Sequence, residues 1–463
     1  MYTIDLSEIR LSDLDMVGGK NASLGEMIQN LDTLGVKVPG GFAVTVLAYQ
    51  KYIEHNNFNE RIKALIEKMD ADDLVSLRRT GSEIRQIIRN GEWPLELKNE
   101  IKAKYKELSG RYGQEITDVA VRSSATAEDL PDASFAGQQE TYLNVRGPVQ
   151  ILSSIRNCFA SLFTDRAISY RESFDFDHFE IGLSVCIQKM VRSDLAASGV
   201  AFSLDTESGF KDVVLINGSY GLGESVVQGS VSPDEIVVFK PSLEKGFSSI
   251  IEKKIGRKET KMIYATDTGR LVKTTVVDEK QQKEFCITDE QALQLAKWVC
   301  IIEKHYSELK GHWCPMDTEW ALDGLSGEMF IVQARPETIH SRRKANELVE
   351  YEIDRSTEAQ VVLTGIAVGD KIGQGKAQKM FTLDGRDGSF DGSNFQEGDI
   401  LVTEMTDPDW EPIMKKSSAI ITNKGGRTCH AAIVARELGI PAIVGTMNAT
   451  EMLENGDTFA FHK

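Results

Sequence analysis

The sequence predicts a multidomain protein of the mixed α+β class. The chain has 463 residues, enough for about three domains at a typical ~150 residues each. Apolar residues recur at helical spacing in the first part of the chain, and short apolar runs bounded by turn residues follow. A content of 41% hydrophobic and 27% charged residues is typical of a folded globular protein.

Helices are expected up to about residue 115. Gly19 to Asn30 carries apolar residues at helical spacing, and Leu74 to Ile88 repeats the pattern. Between them, the run VKVPGGFAVT, residues 36–45, predicts a short strand interrupted by a turn.

Strands are expected to dominate from about residue 118 to about residue 335. The strand-like runs are DVAVRSS, ETYLNV, LSVCIQKMV, GVAF, DVVLIN and DEIVVF. Two helices, Gly147 to Phe163 and Asp289 to Leu309, are expected among them. The charged run at 341–358 predicts a linker between domains at 1–340 and 359–463.

Charge and hydropathy argue against several classes of protein. A net charge of -17 repels nucleic-acid backbones, so we expect no nucleic-acid partner. The N-terminus lacks the basic and apolar regions of a signal peptide, and no stretch approaches the roughly 18 apolar residues of a membrane span. The six cysteines form no C-x-x-C pair, which favours reduced thiols and a cytoplasmic location.

The segment most informative about chemistry is SAIITNKGGRTCHAAIVARELGIPAIVG, residues 418–445. It predicts a buried strand at Ala419 to Thr422, a tight turn at Gly425-Gly426 and a helix at Ala431 to Leu438.

His430 then lies at the N-terminus of this helix. Backbone N–H groups and the helix dipole favour a phosphoryl group there, and Arg427 adds a charge-assisted contact. The site suits a transient phosphohistidine with a neutral ring nitrogen as nucleophile. The plainer alternative is a helix cap or a surface histidine.

Three upstream segments predict contacts to a nucleotide. Lys20 follows two glycines at the start of the first predicted helix, where its ammonium can reach a phosphate. The spacing is not that of a Walker P-loop, so a surface lysine is the alternative. Arg122 offers a planar fork before a loop of small residues around Gly137, whose backbone donors can cover phosphates. An ordinary hairpin with a long loop is the alternative there.

The third segment is WCPMDTEWALDGLSGEMFIVQARPET, which predicts a hairpin. Alternation puts Asp317 and Glu319 on one face of the first strand. Gln333 and Arg335 share a face of the second strand. Carboxylate, amide and guanidinium groups of this kind suit a magnesium-bound triphosphate, although Asp317 and Glu319 also fit the solvated face of an edge hairpin.

The run GGRTCHAAIVARELGIPAIVG resembles the signature of the swivelling phosphohistidine domain of the PEP-utilising enzyme family. That family includes phosphoenolpyruvate synthases and pyruvate phosphate dikinases, and the TCH variant resembles the synthase branch most. The upstream segments, in their order, resemble the family's nucleotide-binding domain. The resemblance implies an ATP-grasp-like nucleotide-binding domain followed by a swivelling β/β/α phosphohistidine domain.

The resemblance also assigns roles by position. It makes His430 the phosphorylated histidine and Thr428 the counterpart of the family's regulatory threonine, with a helix-capping hydroxyl as the alternative. It implies Mg²⁺ ligands at Glu319 and Gln333. The ATP contacts that it implies are Lys20, Arg122, Gly137, Thr141, Gln188, Glu319, Gln333 and Arg335.

In the resembled enzymes the histidine attacks the β-phosphorus of ATP, AMP leaves, and water removes the outer phosphate. The phosphohistidine then swivels to pyruvate on a C-terminal barrel. No sequence for that barrel follows Lys463. We therefore expect self-phosphorylation without phosphoenolpyruvate synthesis by this chain alone, with pyruvate bound on a barrel that is missing here or on another chain. A homodimer is a further expectation.

Three alternatives stay open from the sequence. The chain could be a subunit of a split enzyme, or a phosphocarrier that receives its phosphate from a partner. The predicted nucleotide site argues against a pure carrier. A rifampin phosphotransferase shares both modules but inserts a drug-binding domain between them, and the short connection after Arg335 argues against it.

Overall fold

The structure is a computed structural model. It describes residues 1–70, 73–126, 129–130, 133–134, 140–173, 176–179, 181–265, 270–337, 361–369, 371–381, 395–406, 410–427 and 429–460. The predicted linker at 341–358, Gly137 and Thr428 lie outside the described residues. Helices and several separate sheets alternate along the chain, which confirms the multidomain α+β class.

The helices of the described residues are α1 (Leu14–Asn30), α2 (Val46–His55), α3 (Phe58–Ile66), α4 (Leu74–Arg89), α5 (Leu95–Arg111), α6 (Gly147–Ser161), α7 (Asp165–Ser173), α8 (Glu224–Val227), α9 (Lys240–Leu243), α10 (Glu279–Gln282), α11 (Asp289–Lys310), α12 (Glu411–Met414), α13 (His430–Leu438) and α14 (Ala449–Met452). Short 3-10 turns lie at Leu6–Glu8, Leu11–Asp13, Asp32–Leu34 and Ser193–Leu195. None of these helices is both long and apolar enough to cross a membrane.

The strands of the same residues are β1 (Thr3–Asp5), β2 (Gly41–Val44), β3 (Asp118–Ala125), β4 (Asp129–Leu130), β5 (Ala133–Ser134), β6 (Thr141–Arg146), β7 (Leu183–Lys189), β8 (Ala197–Phe202), β9 (Val213–Tyr220), β10 (Asp234–Phe239), β11 (Ile250–Lys254), β12 (Thr260–Tyr264), β13 (Val272–Val276), β14 (Met316–Leu322), β15 (Met329–Pro336), β16 (Ile366–Val368), β17 (Gln374–Lys379), β18 (Ile400–Thr403), β19 (Ala419–Thr422), β20 (Ala442–Val444) and β21 (Thr458–Ala460).

Local signals account for most of the predicted elements. The carboxylate of Asp73 accepts hydrogen bonds from the first N–H groups of α4, and Thr288 opens α11 with a capping box. The strand expected across residues 36–45 is shorter than predicted. It begins at Gly41, because Pro39 has no N–H to give to a sheet ladder.

The chain divides into two compact units. Unit 1 contains Met1–Val191, Tyr264–Lys273 and Phe330–Arg335, and unit 2 contains Arg192–Ile263, Thr274–Met329 and Pro336–Lys463. Unit 1 holds an antiparallel sheet in the order β1-β2-β7-β3-β6. Helices α2 to α6 contribute apolar side chains to a core against this sheet.

Unit 2 contains two bodies around separate sheets. We call residues 192–263 and 274–329 the sheet body, because its antiparallel strands run in the order β11-β10-β9-β8-β14. We call residues 361–460 the histidine body. Its sheet has the order β16-β20-β19-β18-β17-β21, with the four central strands β20, β19, β18 and β17 parallel.

The parallel strands β18 and β19 of the histidine body are buried on both faces. Leu401 and Ile420 face a core that includes α13 and Trp410, whereas Val402 and Ile421 face a second core beside α14. Continuous apolar runs such as AIIT are expected for strands covered on both sides. Packing against both cores fixes the position of the end of β19, and the segment that leads to His430 follows this strand.

Candidate active site

His430 is the first residue of α13. The preceding turn contains Gly425 with φ 111°, and Cys429 is the N-cap. Gly439 ends the helix with φ 65°. An α-helix leaves its first backbone N–H groups without helical partners, so the start of α13 offers donors to an anion beside His430. The strand, turn and helix follow the sequence expectation closely.

Thr406 contacts the imidazole of His430. Its Oγ1 lies 2.9 Å from Nδ1, and the Thr406 side chain is buried. If Nδ1–H donates to this hydroxyl, the lone pair of the imidazole lies on Nε2. In that tautomer Nε2 is the nucleophilic atom.

Arg427 lies in the turn before His430 and faces two carboxylates of the sheet body. Its Nε is 3.9 Å from Oε2 of Glu235, and its Nη1 is 4.0 Å from Oδ2 of Asp205. Burial opposes ionisation of Asp205, yet hydrogen bonds from Ser208 and Glu207 and the charge of Arg427 hold its pKa below the ordinary value.

The face of the sheet body beneath Arg427 also carries Glu319. Glu319 pairs with Val200, Val200 with Asn217, and Asn217 with Glu235 across four antiparallel strands. Directly paired residues project to the same face of a sheet. Glu319, Asn217 and Glu235 therefore lie on one face, and Arg427 approaches that face at Glu235.

Two glycines allow the His430 segment to approach the sheet body closely. A Cβ on Gly229 would lie 2.2 Å from Cβ of Cys429, and one on Gly426 would lie 3.2 Å from Cδ of Pro233. Gly229 also has φ 72°. The glycine-rich segment at 217–235 is thus the surface on which the His430 turn rests.

Lys20 lies on α1 in unit 1, just after a break in the helix. Gly18 has φ 73° and ψ 165°, and a Cβ there would lie 2.4 Å from the carbonyl oxygen of Ser124. Helix α1 therefore consists of a short segment from Leu14 and, after the break at Gly18, a second segment that begins at Gly19 as predicted. The close approach brings Nζ of Lys20 to 3.5 Å from the Ser123 carbonyl oxygen.

Arg122 lies beside Lys20 in unit 1. Arg122 pairs with Thr141 on one side and with Cys186 on the other. Its Nη1 donates to the carbonyl of Val332 at 3.2 Å. Burial raises the pKa of the Cys186 thiol to about 12, and the positive charges of Arg122 and Lys20 oppose this rise. Both cations therefore act on the same region around Cys186.

Gln188 occupies the same sheet of unit 1. It is buried, pairs with Gly41 and Ala120, and its Nε2 donates to the carbonyl of Pro39 at 3.4 Å. Since Ala120 and Arg122 are two residues apart on β3, Gln188 and Arg122 project to one face.

Gln333 and Arg335 share one face of β15, as the alternation predicted. Gln333 is buried and Arg335 is half-buried. The Ile331 N–H donates to the carbonyl of Lys37 at 2.8 Å, and Ser23 Oγ donates to the Ala334 carbonyl at 2.7 Å, which ties this strand into unit 1.

Asp317 and Glu319 also lie on one face of β14, as predicted, within unit 2. Carboxylate and amide oxygens are the hard donors that Mg²⁺ takes, and this ion commonly uses only one or two carboxylates together with phosphate oxygens and water. Among the described residues no group of three or more His, Cys, Asp and Glu side chains is arranged around one point. The side-chain oxygens of Glu319 and of Gln333 are each of the chemical kind that Mg²⁺ takes.

Two family models match this chain. Residues 14–356 match the pyruvate phosphate dikinase AMP/ATP-binding domain. The chain belongs to the pyruvate phosphate dikinase AMP/ATP-binding domain family. Residues 395–460 match the mobile domain of PEP-utilising enzymes. The family resemblance drawn from the His430 and upstream segments is thereby confirmed.

The chain is also similar over nearly its whole length to proteins named phosphoenolpyruvate synthase. The one from Aquifex aeolicus is 58% identical over 455 residues, which cover 98% of this chain and 52% of that protein. The Synechocystis protein is 53% identical, and the match covers 97% of this chain and 54% of that protein. The Escherichia coli protein is 49% identical, and the match covers 97% of this chain and 55% of that protein. The chain thus spans about half the length of the curated relatives it matches.

Some residues of the site were not found from the sequence. Thr406 lies 24 positions before His430, and no spacing rule links the two. Arg436 and Glu207, which join the two bodies of unit 2, are 229 positions apart and read as ordinary surface charges in a sequence.

Proposed function

We propose that this chain transfers a phosphoryl group from ATP to His430, as the first half of phosphoenolpyruvate synthesis from pyruvate. The observation that carries the proposal is the contact of Thr406 with Nδ1 of His430 at the N-terminus of α13. It leaves Nε2 as the nucleophile beside backbone donors that suit a phosphate. The family match and the similarity to phosphoenolpyruvate synthases support the same reaction.

In the proposed reaction, Nε2 attacks the β-phosphorus of ATP and forms a P–N bond. The bond from the β-phosphorus to the oxygen bridging it to the α-phosphorus breaks, and AMP leaves with that electron pair. Water then cleaves the outer phosphoanhydride, which releases phosphate and leaves one phosphoryl group on His430. Phosphoryl transfer of this kind depends mainly on positioning and on compensation of charge.

The residues proposed to supply that compensation are the ones predicted from the sequence. The cations Lys20, Arg122 and Arg335 would contact the phosphates, with Thr141 as a hydroxyl donor and Gln188 beside the base. Glu319 and Gln333 would hold Mg²⁺, which offsets negative charge on the phosphate oxygens when bound. Gly137 and Thr428 keep their predicted roles as proposals.

The finer assignment of the fold and the acceptor is also proposed. We infer an ATP-grasp-like nucleotide-binding domain and a histidine domain that swivels after phosphorylation. The acceptor of the phosphoryl group would be pyruvate, because the relatives of this chain are named phosphoenolpyruvate synthase. A cytoplasmic location and a homodimer remain predictions from the sequence.

Incubation with Mg²⁺ and ATP labelled at the β-phosphate tests the proposal. We expect acid-labile label on the wild-type protein, with AMP in equal amount, and none on His430→Asn. His55→Asn is the matched control, because His55 is an exposed histidine in unit 1 and should leave labelling unchanged. Equal labelling of His430→Asn and wild type would refute the assignment.

A further inference from the structure

Glu207 of the sheet body makes a buried ion pair with Arg436 of the histidine body. Nη2 of Arg436 contacts Oε1 of Glu207, and its Nε lies 3.2 Å from the same oxygen. Both side chains are only 8% exposed. Oε2 of Glu207 accepts a further hydrogen bond from the backbone N–H of Gly369 at 3.3 Å. One carboxylate therefore joins two separate segments of the histidine body.

The turn that carries Glu207 is held by its own hydrogen bonds. Oδ1 of Asp205 accepts from the N–H of Glu207 at 3.1 Å and from the N–H of Ser208 at 2.7 Å. The N–H of Gly209 donates to the Asp205 carbonyl at 2.8 Å. Glu207 thus extends from a closed turn, which lowers the entropy cost of its contact with the histidine body.

Arg436 connects this carboxylate to the segment around His430. It lies on α13, the helix that His430 begins, and its Nη2 also donates to the carbonyl of Arg427 at 2.6 Å. The planar guanidinium can serve both acceptors at once. The ion pair therefore holds both the turn that precedes His430 and the helix that His430 begins.

The other charged contact between these two bodies, of Arg427 with Glu235 and Asp205, has longer distances. Arg427 is 27% exposed at its side chain and approaches Glu235 and Asp205 no closer than 3.9 and 4.0 Å. Partly exposed charges at such distances interact weakly, whereas removing one partner of a buried pair leaves an uncompensated charge. The contact between Glu207 and Arg436 is the stronger candidate for holding the two bodies together.

We propose that Glu207 is a positioning residue: acting through Arg436, it holds the histidine body on the face of the sheet body that carries Glu319 while His430 is phosphorylated. Its role in phosphorylation rests on the proposed function. The holding contact itself requires no nucleotide, so the two can be tested separately.

Cys429 provides a direct measure of this contact. It lies next to His430, is buried, and is covered by Gly229 of the sheet body. Burial raises the pKa of its thiol, although backbone hydrogen bonds oppose the shift. Cys429 also contributes to the core of the histidine body, and we expect loss of the cover from Gly229 on separation of the two bodies to increase access of an alkylating reagent to this thiol. Cys158 and Cys286 are buried in unit 1 and in the sheet body, so their reactivity reports unfolding instead.

The experiment measures alkylation of each cysteine by iodoacetamide, resolved by peptide mass spectrometry, without nucleotide. We expect Glu207→Gln and Arg436→Gln to raise the rate at Cys429 at least about tenfold, with Cys158 and Cys286 unchanged. Arg436→Lys keeps the charge but loses the planar fork, so its rate should be intermediate. The control is Glu308→Gln, which removes a carboxylate from an exposed pair with Lys304 and should match wild type.

A wild-type rate at Cys429 in Glu207→Gln would overturn the proposal. Glu207→Gln could instead raise the alkylation rates of Cys158 and Cys286 as much as that of Cys429. The variant Arg436→Lys, which keeps the charge, then decides: a wild-type alkylation rate at Cys429 in this variant would also overturn the proposal. In that case the carboxylate would stabilise the whole fold rather than the contact between the two bodies.

A second measurement follows phosphorylation in a single turnover with labelled ATP. We expect Glu207→Gln to slow labelling of His430 by about the factor found for Cys429, while the affinity for ATP stays at the wild-type value. Unchanged labelling together with fast alkylation would overturn the positioning role. Absence of label on the wild type would instead refute the proposed function, and the alkylation rates would still decide whether Glu207 holds the contact.

Discussion

Oγ1 of Thr406 lies 2.9 Å from Nδ1 of His430, and both residues belong to the histidine body. The hydroxyl comes from the loop after β18, and the imidazole comes from the start of α13. Because β18 and β19 are neighbouring parallel strands, their C-terminal ends meet at one edge of the sheet. This arrangement of strands brings together two side chains that are distant in sequence.

Thr406→Val tests the importance of this hydrogen bond. Valine has nearly the same shape but cannot accept from Nδ1–H, so the tautomer with a nucleophilic Nε2 loses its support. We expect phosphorylation of His430 to slow about tenfold, in line with the loss of a buried hydrogen bond. Thr406→Ser retains the hydroxyl and should retain most of the rate. Equal rates for the valine and serine variants would contradict the assignment.

The local part of the site was predictable because its signals are contiguous in sequence. The turn, the helix start at His430 and the shared faces of β14 and β15 follow from glycine positions and alternation. These depend on neighbours within a few residues. The element types found at Leu74–Arg89 and Asp289–Lys310 follow for the same reason, since caps and apolar spacing agree.

The non-local part was not predictable from one sequence. Thr406, Glu207 and Arg436 depend on the order of strands and on how the two bodies of unit 2 meet, which no local spacing specifies. The helix predicted from Gly19 to Asn30 is found, because Gly18 breaks α1 and the helical segment after it begins at Gly19. The short helical segment before Gly18, from Leu14, was not predicted.

Gly18→Ala should destabilise unit 1. The backbone conformation at Gly18 is almost restricted to glycine, and a Cβ would lie 2.4 Å from the Ser124 carbonyl oxygen. We expect a loss of about 2–4 kcal/mol in the free energy of unfolding, measured in urea. Gly113→Ala is the control, because Gly113 has φ 64° but open space around its Cβ, and it should cost about 1–2 kcal/mol. Equal losses would show that the close approach of α1 to β3 is unimportant.

Asp118 makes the stability of unit 1 depend on pH. Its carboxylate is buried and accepts hydrogen bonds from Nζ of Lys189 at 2.6 Å and from the hydroxyl of Tyr264 at 2.7 Å. Burial disfavours the carboxylate, but these partners lower its pKa below the ordinary value. A lowered pKa in the folded state means that the unfolded state binds the proton first. The stabilisation is therefore complete above the unfolded pKa of about 3.9 and is lost as the pH falls through the folded value.

Asp118→Asn tests this dependence through urea unfolding between pH 7 and pH 3. At neutral pH we expect a loss of about 3 kcal/mol, because Lys189 stays buried without its counterion. The difference between variant and wild type should shrink below about pH 4, because the unfolded wild-type chain takes up a proton at this carboxyl before the folded protein does. A difference that is constant over this range would exclude the ion pair as its cause.

Lys20→Gln should weaken the binding of magnesium ATP. The substitution removes the ammonium but keeps a side chain of similar length, and a charge-assisted contact to a phosphate is worth about tenfold or more in affinity. Isothermal titration with magnesium ATP measures the change. Lys211→Gln removes an exposed lysine of the sheet body and should bind as the wild type does. Similar affinities for both variants would remove Lys20 from the proposed phosphate contacts.

The proposed attack of His430 on the β-phosphorus is tested most directly with ATP that carries different isotopes at the β- and γ-phosphates. After one turnover with Mg²⁺, the account predicts β-label on a peptide containing His430, γ-label in free phosphate, and AMP in equal amount. Stable γ-label on His430 with release of ADP would contradict it, because the nucleophile would then attack the terminal phosphorus.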